Sequence, residues 1–184
     1  MGQPLLLVLG GTRSGKSTYG VSRISAMAGD SPVAYLATVA GSQGDDPELD
    51  DRIRRHRAAR PASWDTIEVD VDLPSAVRSV ESDRPILLDG LTLWLSALID
   101  TPILDVDRLL DGPVAGGRAA LAVPQGPVVV VSDEIGLGMV PMEPISRSFR
   151  DLQGIVHQRL ATEADEVVLT VAGLPLTLKA PDSR

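Results

Sequence analysis

The chain has no cysteine among its 184 residues, which excludes disulfides and thiolate metal sites. Lysine is almost as scarce: only Lys16 and Lys179 stand against fifteen arginines, so each lysine position is informative. No apolar run reaches the roughly 18 residues that a membrane-spanning helix needs, so no stable membrane insertion is expected. No basic segment precedes the first apolar run, Leu5–Leu9, so that run reads as a first strand and not as a secretory signal. A cytoplasmic location is the simple expectation. Positive charge is in deficit overall. A net charge of −8 argues against nonspecific binding to nucleic acid. The chain also lacks an internal repeat and any linker that would split it. With 43% hydrophobic residues, it is expected to fold as one domain over 1–184 around a substantial core.

Against this background one segment stands out. Gly10-Gly11-Thr12-Arg13-Ser14-Gly15-Lys16-Ser17 fits the phosphate-loop pattern G-x-x-x-x-G-K-[ST], directly after the strand-like Leu5–Leu9. Glycines let backbone N–H groups curl round a phosphate chain. Lys16 neutralises β/γ-phosphate charge, and the Ser17 hydroxyl reaches a Mg²⁺. The helix that follows aims its N-terminal dipole at the same anion. A plain strand-to-helix turn would not require a lysine, yet one of the two in the chain sits at that position.

Strand-like runs recur at Leu5–Leu9, Val33–Ala37, Thr66–Val69, Ile86–Leu88, Val128–Val131 and Val167–Val171, with a short last one at Leu176–Leu178. Helical patterns cover Gly15–Ala28, Pro47–Ala59, Leu73–Glu81, Leu91–Ile99, Val106–Ala122 and Ile145–Glu163. Continuous apolar runs suit strands buried on both faces. The alternation predicts an α/β fold, a mainly parallel sheet with helices on both sides, whose ligands bind at the carboxyl ends of the strands.

Three further constellations carry chemistry. Ile86–Leu88 runs into Asp89, an apolar strand ending in a carboxylate. Beside a phosphate loop such an acid helps hold Mg²⁺, directly or through water; the competing reading is a helix N-cap. Arg52, His56 and Arg60 recur every fourth residue and would share a helix face. Like charges push an imidazole's pKa down, and a neutral imidazole is a usable nucleophile. The arginines would hold the phosphates it attacks, although a solvated basic helix face gives the same pattern. Finally, Arg147, Arg150, Asp151, Gly154 and Gln158 put polar groups on a helix. Before them runs a Gly/Pro-punctuated loop, Asp133 to Pro141, which reads as substrate-facing or as a connector.

Taken together, these segments resemble the bifunctional adenosylcobinamide kinase / adenosylcobinamide-phosphate guanylyltransferase family of cobalamin biosynthesis. The carrying residues are the loop at 10–17, Tyr35-Leu36-Ala37-Thr38, Asp46-Pro47-Glu48-Leu49 with Arg52-Ile53 and His56, and Trp64 to Glu68. They continue through Leu88-Asp89-Gly90-Leu91-Thr92-Leu93-Trp94-Leu95, Glu134 to Pro141, and Arg147-Ser148-Phe149-Arg150-Asp151 with Gly154 and Gln158. They span nearly the whole chain in order. The resemblance implies two reactions. One phosphorylates the aminopropanol hydroxyl of adenosylcobinamide with GTP or ATP. The other transfers GMP from GTP to adenosylcobinamide phosphate through a GMP–histidine intermediate. It places the nucleophile on His56 and catalytic charge on Lys16. Nucleotide contacts fall on Gly10 to Ser17, on Leu36, Ala37 and Thr38, on Arg57, Ala58, Ala59 and Arg60, on Glu68 and on Asp89, with Ser17 and Asp89 at Mg²⁺. A carboxylate at Glu68 would suit the N1–H and N2–H₂ donors of guanine. A recombinase-type phosphate-loop fold and a homotrimer are also implied.

Some positions depart from the family pattern: Gly90 where Cys is common, Ala97 where Asn is usual, Asp133 where Asn is usual, and His157 where Asn normally precedes Gln158. No phosphate-loop residue is lost. Two other readings remain open at this point: a phosphate-loop kinase of another small metabolite, and a GTP-binding switch that turns over no corrinoid.

Overall fold

A computed structural model of the chain describes residues 4–38, 61–99 and 105–181. The apolar runs become strands: β1 (Leu5–Gly10), β2 (Ala34–Thr38), β3 (Asp65–Val69), β4 (Ile86–Asp89), β5 (Val128–Asp133), β6 (Glu166–Val171) and β7 (Leu174–Lys179). They form one sheet in the order β3-β2-β4-β5-β1-β6-β7. Every pairing is parallel except β6 with β7, which is antiparallel across a tight turn. All six residues of β1 are buried, as two-sided burial of an apolar run requires.

The alternation along β1 divides the core. Leu6 and Val8 point to one face with Leu87, Val129 and Val131, where Ile24 of α1 (Lys16–Ala28) covers them. Leu5, Leu7 and Leu9 point to the other. There they meet Leu36, Leu88, Leu91, Trp94, Leu152 and Leu160, carried in part by α3 (Leu91–Ala97) and α6 (Pro144–Glu163). The short α2 (Leu73–Arg78) packs on this second side with α5 (Ala115–Leu121). Each layer thus buries the stripe that its helical period places inward.

The expected helix over Val106–Ala122 is interrupted. It runs as α4 (Val106–Leu109), a π-helical turn at Leu110–Val114, and α5. Pro113 lies in that turn; it has no N–H to donate and its ring crowds the preceding carbonyl, so the α-helical ladder widens there. Two helices also stop earlier than their periodicity suggests, at Arg78 and Ala97. The expected helix over Pro47–Ala59 lies outside the described residues.

Candidate nucleotide site at the carboxyl ends of the strands

The phosphate loop folds back on the end of β1. Gly10 has no room for a side chain: a Cβ there would lie 2.3 Å from both Ser14 Oγ and Thr170 Oγ1. Those two hydroxyls hydrogen-bond each other at 2.8 Å, and Thr170 Oγ1 also donates to Leu9 O at 3.1 Å. The Gly173 N–H donates to Ser14 O at 2.9 Å, tying the loop to the β6–β7 turn. Gly15, at φ +93°, makes the left-handed turn from which α1 starts at Lys16. Arg13 is left-handed as well, at φ +56°, a conformation that costs a non-glycine residue about 1–2 kcal/mol. The fold holds a strained, closed loop that leads into the start of a helix, the arrangement that binds phosphate.

Two carboxylates face this loop from neighbouring strands. Asp133 ends β5, paired with Gly10 in the register, and its Oδ1 lies 2.5 Å from Lys16 Nζ. Lys16 is only 8% exposed, so its charge is neutralised by this ion pair and by a 3.4 Å bond to Gly11 O. Asp89 ends β4. Its Oδ1 accepts from Ser17 Oγ at 3.2 Å and its Oδ2 from Tyr35 OH at 2.5 Å. Gly90, not Asp89, occupies the N-cap position of α3, so capping does not account for Asp89. Thr38 Oγ1 fixes the same turn by donating to Gly90 O at 2.7 Å. The Ser17–Asp89 pair fits Mg²⁺: two hard oxygens bound at right angles, about 2.1 Å from an ion, lie about 3 Å apart. Among the described residues no cluster of three or more His, Cys, Asp or Glu could hold a metal by itself. An ion here would complete its shell with phosphate oxygens and water.

Behind Asp133 lies a buried polar network. The Asp133 N–H donates to Thr92 Oγ1 at 2.9 Å, and its carbonyl accepts from the Gln153 amide. Gln153 Nε2 also donates to Thr92 Oγ1 at 2.8 Å. His157, one helical turn on, contacts Ser132 Oγ through Nε2 at 2.8 Å and lies 3.5 Å from Glu134 through Nδ1. Burial lowers the His157 pKa, outweighing the pull of Glu134 and Asp133 in the other direction. A neutral, buried, hydrogen-bonded imidazole here braces the end of β5, and so the aim of Asp133.

The structure therefore brings together the loop, Asp89 and Thr38, all expected from sequence. Leu36 is fully buried in the core, which leaves only its backbone to meet a nucleotide. Glu68 is exposed on edge strand β3, in one row with Ala37 and Asp89. It stands four strands from β1, roughly 19 Å at ordinary strand spacing. His56, Arg57, Ala58, Ala59 and Arg60 lie outside the described residues. Sequence reasoning missed Asp133 as the partner of Lys16, Tyr35 as the partner of Asp89, and Thr170. Asp133 was findable: like Asp89, it is a carboxylate ending an apolar strand.

Asp89→Asn should weaken Mg²⁺-dependent turnover by at least about tenfold while leaving thermal stability nearly intact, since the change is isosteric but removes the charge that would face the ion. Activity unchanged across a Mg²⁺ titration would remove Asp89 from the metal site.

Comparison with known proteins agrees with this geometry. The family model for cobinamide kinase / cobinamide phosphate guanyltransferase matches residues 6–178. A relative from Pseudomonas aeruginosa, the bifunctional adenosylcobalamin biosynthesis protein CobP, is 42% identical over 174 residues, covering 94% of this chain and 96% of the relative. CobU of Salmonella typhimurium, a protein of the same description, is 37% identical over 187 residues, covering 95% and 99%. Among solved structures, the KaiC-like protein PH0186 from Pyrococcus horikoshii superposes with a TM-score of 0.54 at 11% identity, covering 100% of this chain and 82% of that one. That likeness concerns the fold alone, which is of the recombinase-like phosphate-loop type.

Proposed function

The chain belongs to the cobinamide kinase / cobinamide phosphate guanyltransferase family, and we propose that it carries out both reactions at the one phosphate loop, with His56 as the guanylyl carrier. It is a nucleotide-dependent transferase of cobalamin biosynthesis. The observation that carries the site reading is the convergence of Lys16, Ser17, Asp89 and Asp133 at one end of the sheet.

In the kinase step the aminopropanol hydroxyl of adenosylcobinamide attacks the γ-phosphorus of GTP or ATP. The bond to the β-bridging oxygen breaks, the nucleoside diphosphate leaves and the hydroxyl proton passes to solvent. Loop N–H groups and Lys16 hold the charge on the oxygens, and Lys16 exchanges Asp133 for phosphate to do so. Ser17 and Asp89 would hold a Mg²⁺, whose charge would offset that of the phosphate chain. In the transferase step an imidazole nitrogen of His56 attacks the α-phosphorus of GTP and pyrophosphate leaves. The phosphate of adenosylcobinamide phosphate then displaces His56 from GMP. Arg57 and Arg60, with the backbone at Ala58 and Ala59, hold the phosphates. Glu68 accepts from the guanine edge, so the bound nucleotide crosses the carboxyl ends of β5, β4 and β2, past Leu36, Ala37 and Thr38. We further propose that the chain is one domain, that it works as a homotrimer in the cytoplasm, and that it engages neither nucleic acid nor membrane. No described helix is long and apolar enough to cross a membrane.

Purified protein given adenosylcobinamide, Mg²⁺ and GTP should form adenosylcobinamide phosphate first and its GDP derivative second, followed by chromatography with mass detection. Hydrolysis of GTP with no corrinoid product would support the switch reading instead.

A further inference from the structure

The loop after β5 offers an apolar surface that none of these steps uses. Leu137 is 82% exposed, Met139 94%, Val140 66% and Met142 86%. Apolar groups gathered on one loop and held in water mark a binding surface. The loop is also braced. Glu134 Oε1 accepts from the Gly136 N–H at 2.6 Å where it begins. Arg147, on α6, donates to Pro141 O at 3.0 Å and Met142 O at 2.5 Å. Arg150, one turn further, donates to Gly138 O at 3.4 Å and Met139 O at 3.2 Å. Two guanidiniums thus occupy four backbone carbonyls and leave the apolar side chains outward. The root of the loop is Asp133, in contact with Lys16. Leu137 is four residues along, so its Cα lies within about 14 Å of that of Asp133.

We propose that residues 135–142 form the platform on which the corrin macrocycle of the acceptor rests while its side arm reaches the phosphate loop. This rests on the cobinamide reading above. In that substrate the reacting hydroxyl ends a flexible arm on a broad, flat ring whose rim carries methyl groups between amide side chains. The arm enters the cleft beside Lys16, and the ring stays outside against whatever borders the cleft. Among the described residues, the segment after β5 offers a surface that is apolar, uncharged from Ile135 to Met142, and fixed from behind. Met139 and Met142 contribute soft thioethers that adapt to an irregular rim. Arg147 and Arg150 act as positioning residues, through the backbone of the loop.

The test uses the full chain carrying Leu137→Ser and Met139→Ser together. Both residues are exposed, so the fold should survive, with an unchanged unfolding temperature as the check. KM for adenosylcobinamide and for its phosphate should rise at least about tenfold, with kcat at saturating corrinoid nearly unchanged. GMP attachment from GTP alone, which needs no corrinoid, should equal wild type. Arg150→Gln should shift the same KM values upward by a smaller factor. Unchanged corrinoid KM values would overturn the platform. So would a change of oligomeric state in sedimentation, which would make the loop a contact between copies of the chain. Failure of wild type to form a GMP adduct would strike the histidine mechanism only; the KM of the kinase step would still decide the platform.

Discussion

Lys16→Ala is expected to abolish nucleotide use in both half-reactions. Lys16 is the only lysine among the loop residues, and its ammonium is the main compensation for the β/γ-oxygens as charge develops on them. Removing one such donor costs about 10²–10³-fold in rate. Here the loss should be larger, because Asp133 would be left facing the phosphates with its partner gone. Arginine is no substitute at a position so buried, since its planar fork is bulkier and its charge more spread. Adding Asp133→Asn to Lys16→Ala should recover part of the GTP binding but little of the turnover, because it removes the repulsion without restoring the donor. Binding is read by titration with GTP and turnover by product formation. Near-wild-type turnover in Lys16→Ala would contradict the assignment of the loop.

His56→Ala should divide the two activities. A covalent nucleotidyl intermediate needs a nucleophile, whereas phosphoryl transfer to a hydroxyl depends on positioning and charge stabilisation. The variant should therefore accumulate adenosylcobinamide phosphate, form no GDP derivative and take no label from GTP. Equal adduct in the alanine variant would place the nucleophile elsewhere. His157 is a poor candidate by position: it is buried and both ring nitrogens face Ser132 and Glu134.

What the sequence made legible follows from how locally each feature is determined. The strands were readable because burial on two faces leaves unbroken apolar runs such as Leu5–Leu9 and Val128–Val131. The phosphate loop was readable because its chemistry needs fixed residue types at fixed spacing. The break at Leu110–Val114 was not drawn, since the apolar period runs through it although Pro113 stands in plain view. In the site, Asp89 was found and Asp133 was not assigned to Lys16, because that pairing depends on β5 lying beside β1, a consequence of strand order. The same limit hid the buried face of α6. The polar stripe read through Asp151 and Gln158 is exposed, but nothing in that pattern showed that Gln153 and His157 turn inward, where Thr92 and Ser132 supply partners. Most buried polar groups find partners on distant segments, which a local pattern cannot display.

The chain is expected to carry GMP on its own histidine before passing it to the corrinoid phosphate. The most direct test is the intact mass of the wild-type protein after incubation with GTP and Mg²⁺, followed by peptide mapping. The account predicts an increase equal to one GMP per chain, labile to acid, located on the peptide containing His56 and discharged by adenosylcobinamide phosphate. An unmodified mass after GTP and Mg²⁺ alone, in a protein that forms the GDP derivative once adenosylcobinamide phosphate is added, would contradict it, because the guanylyl group would then pass directly from GTP to the corrinoid phosphate.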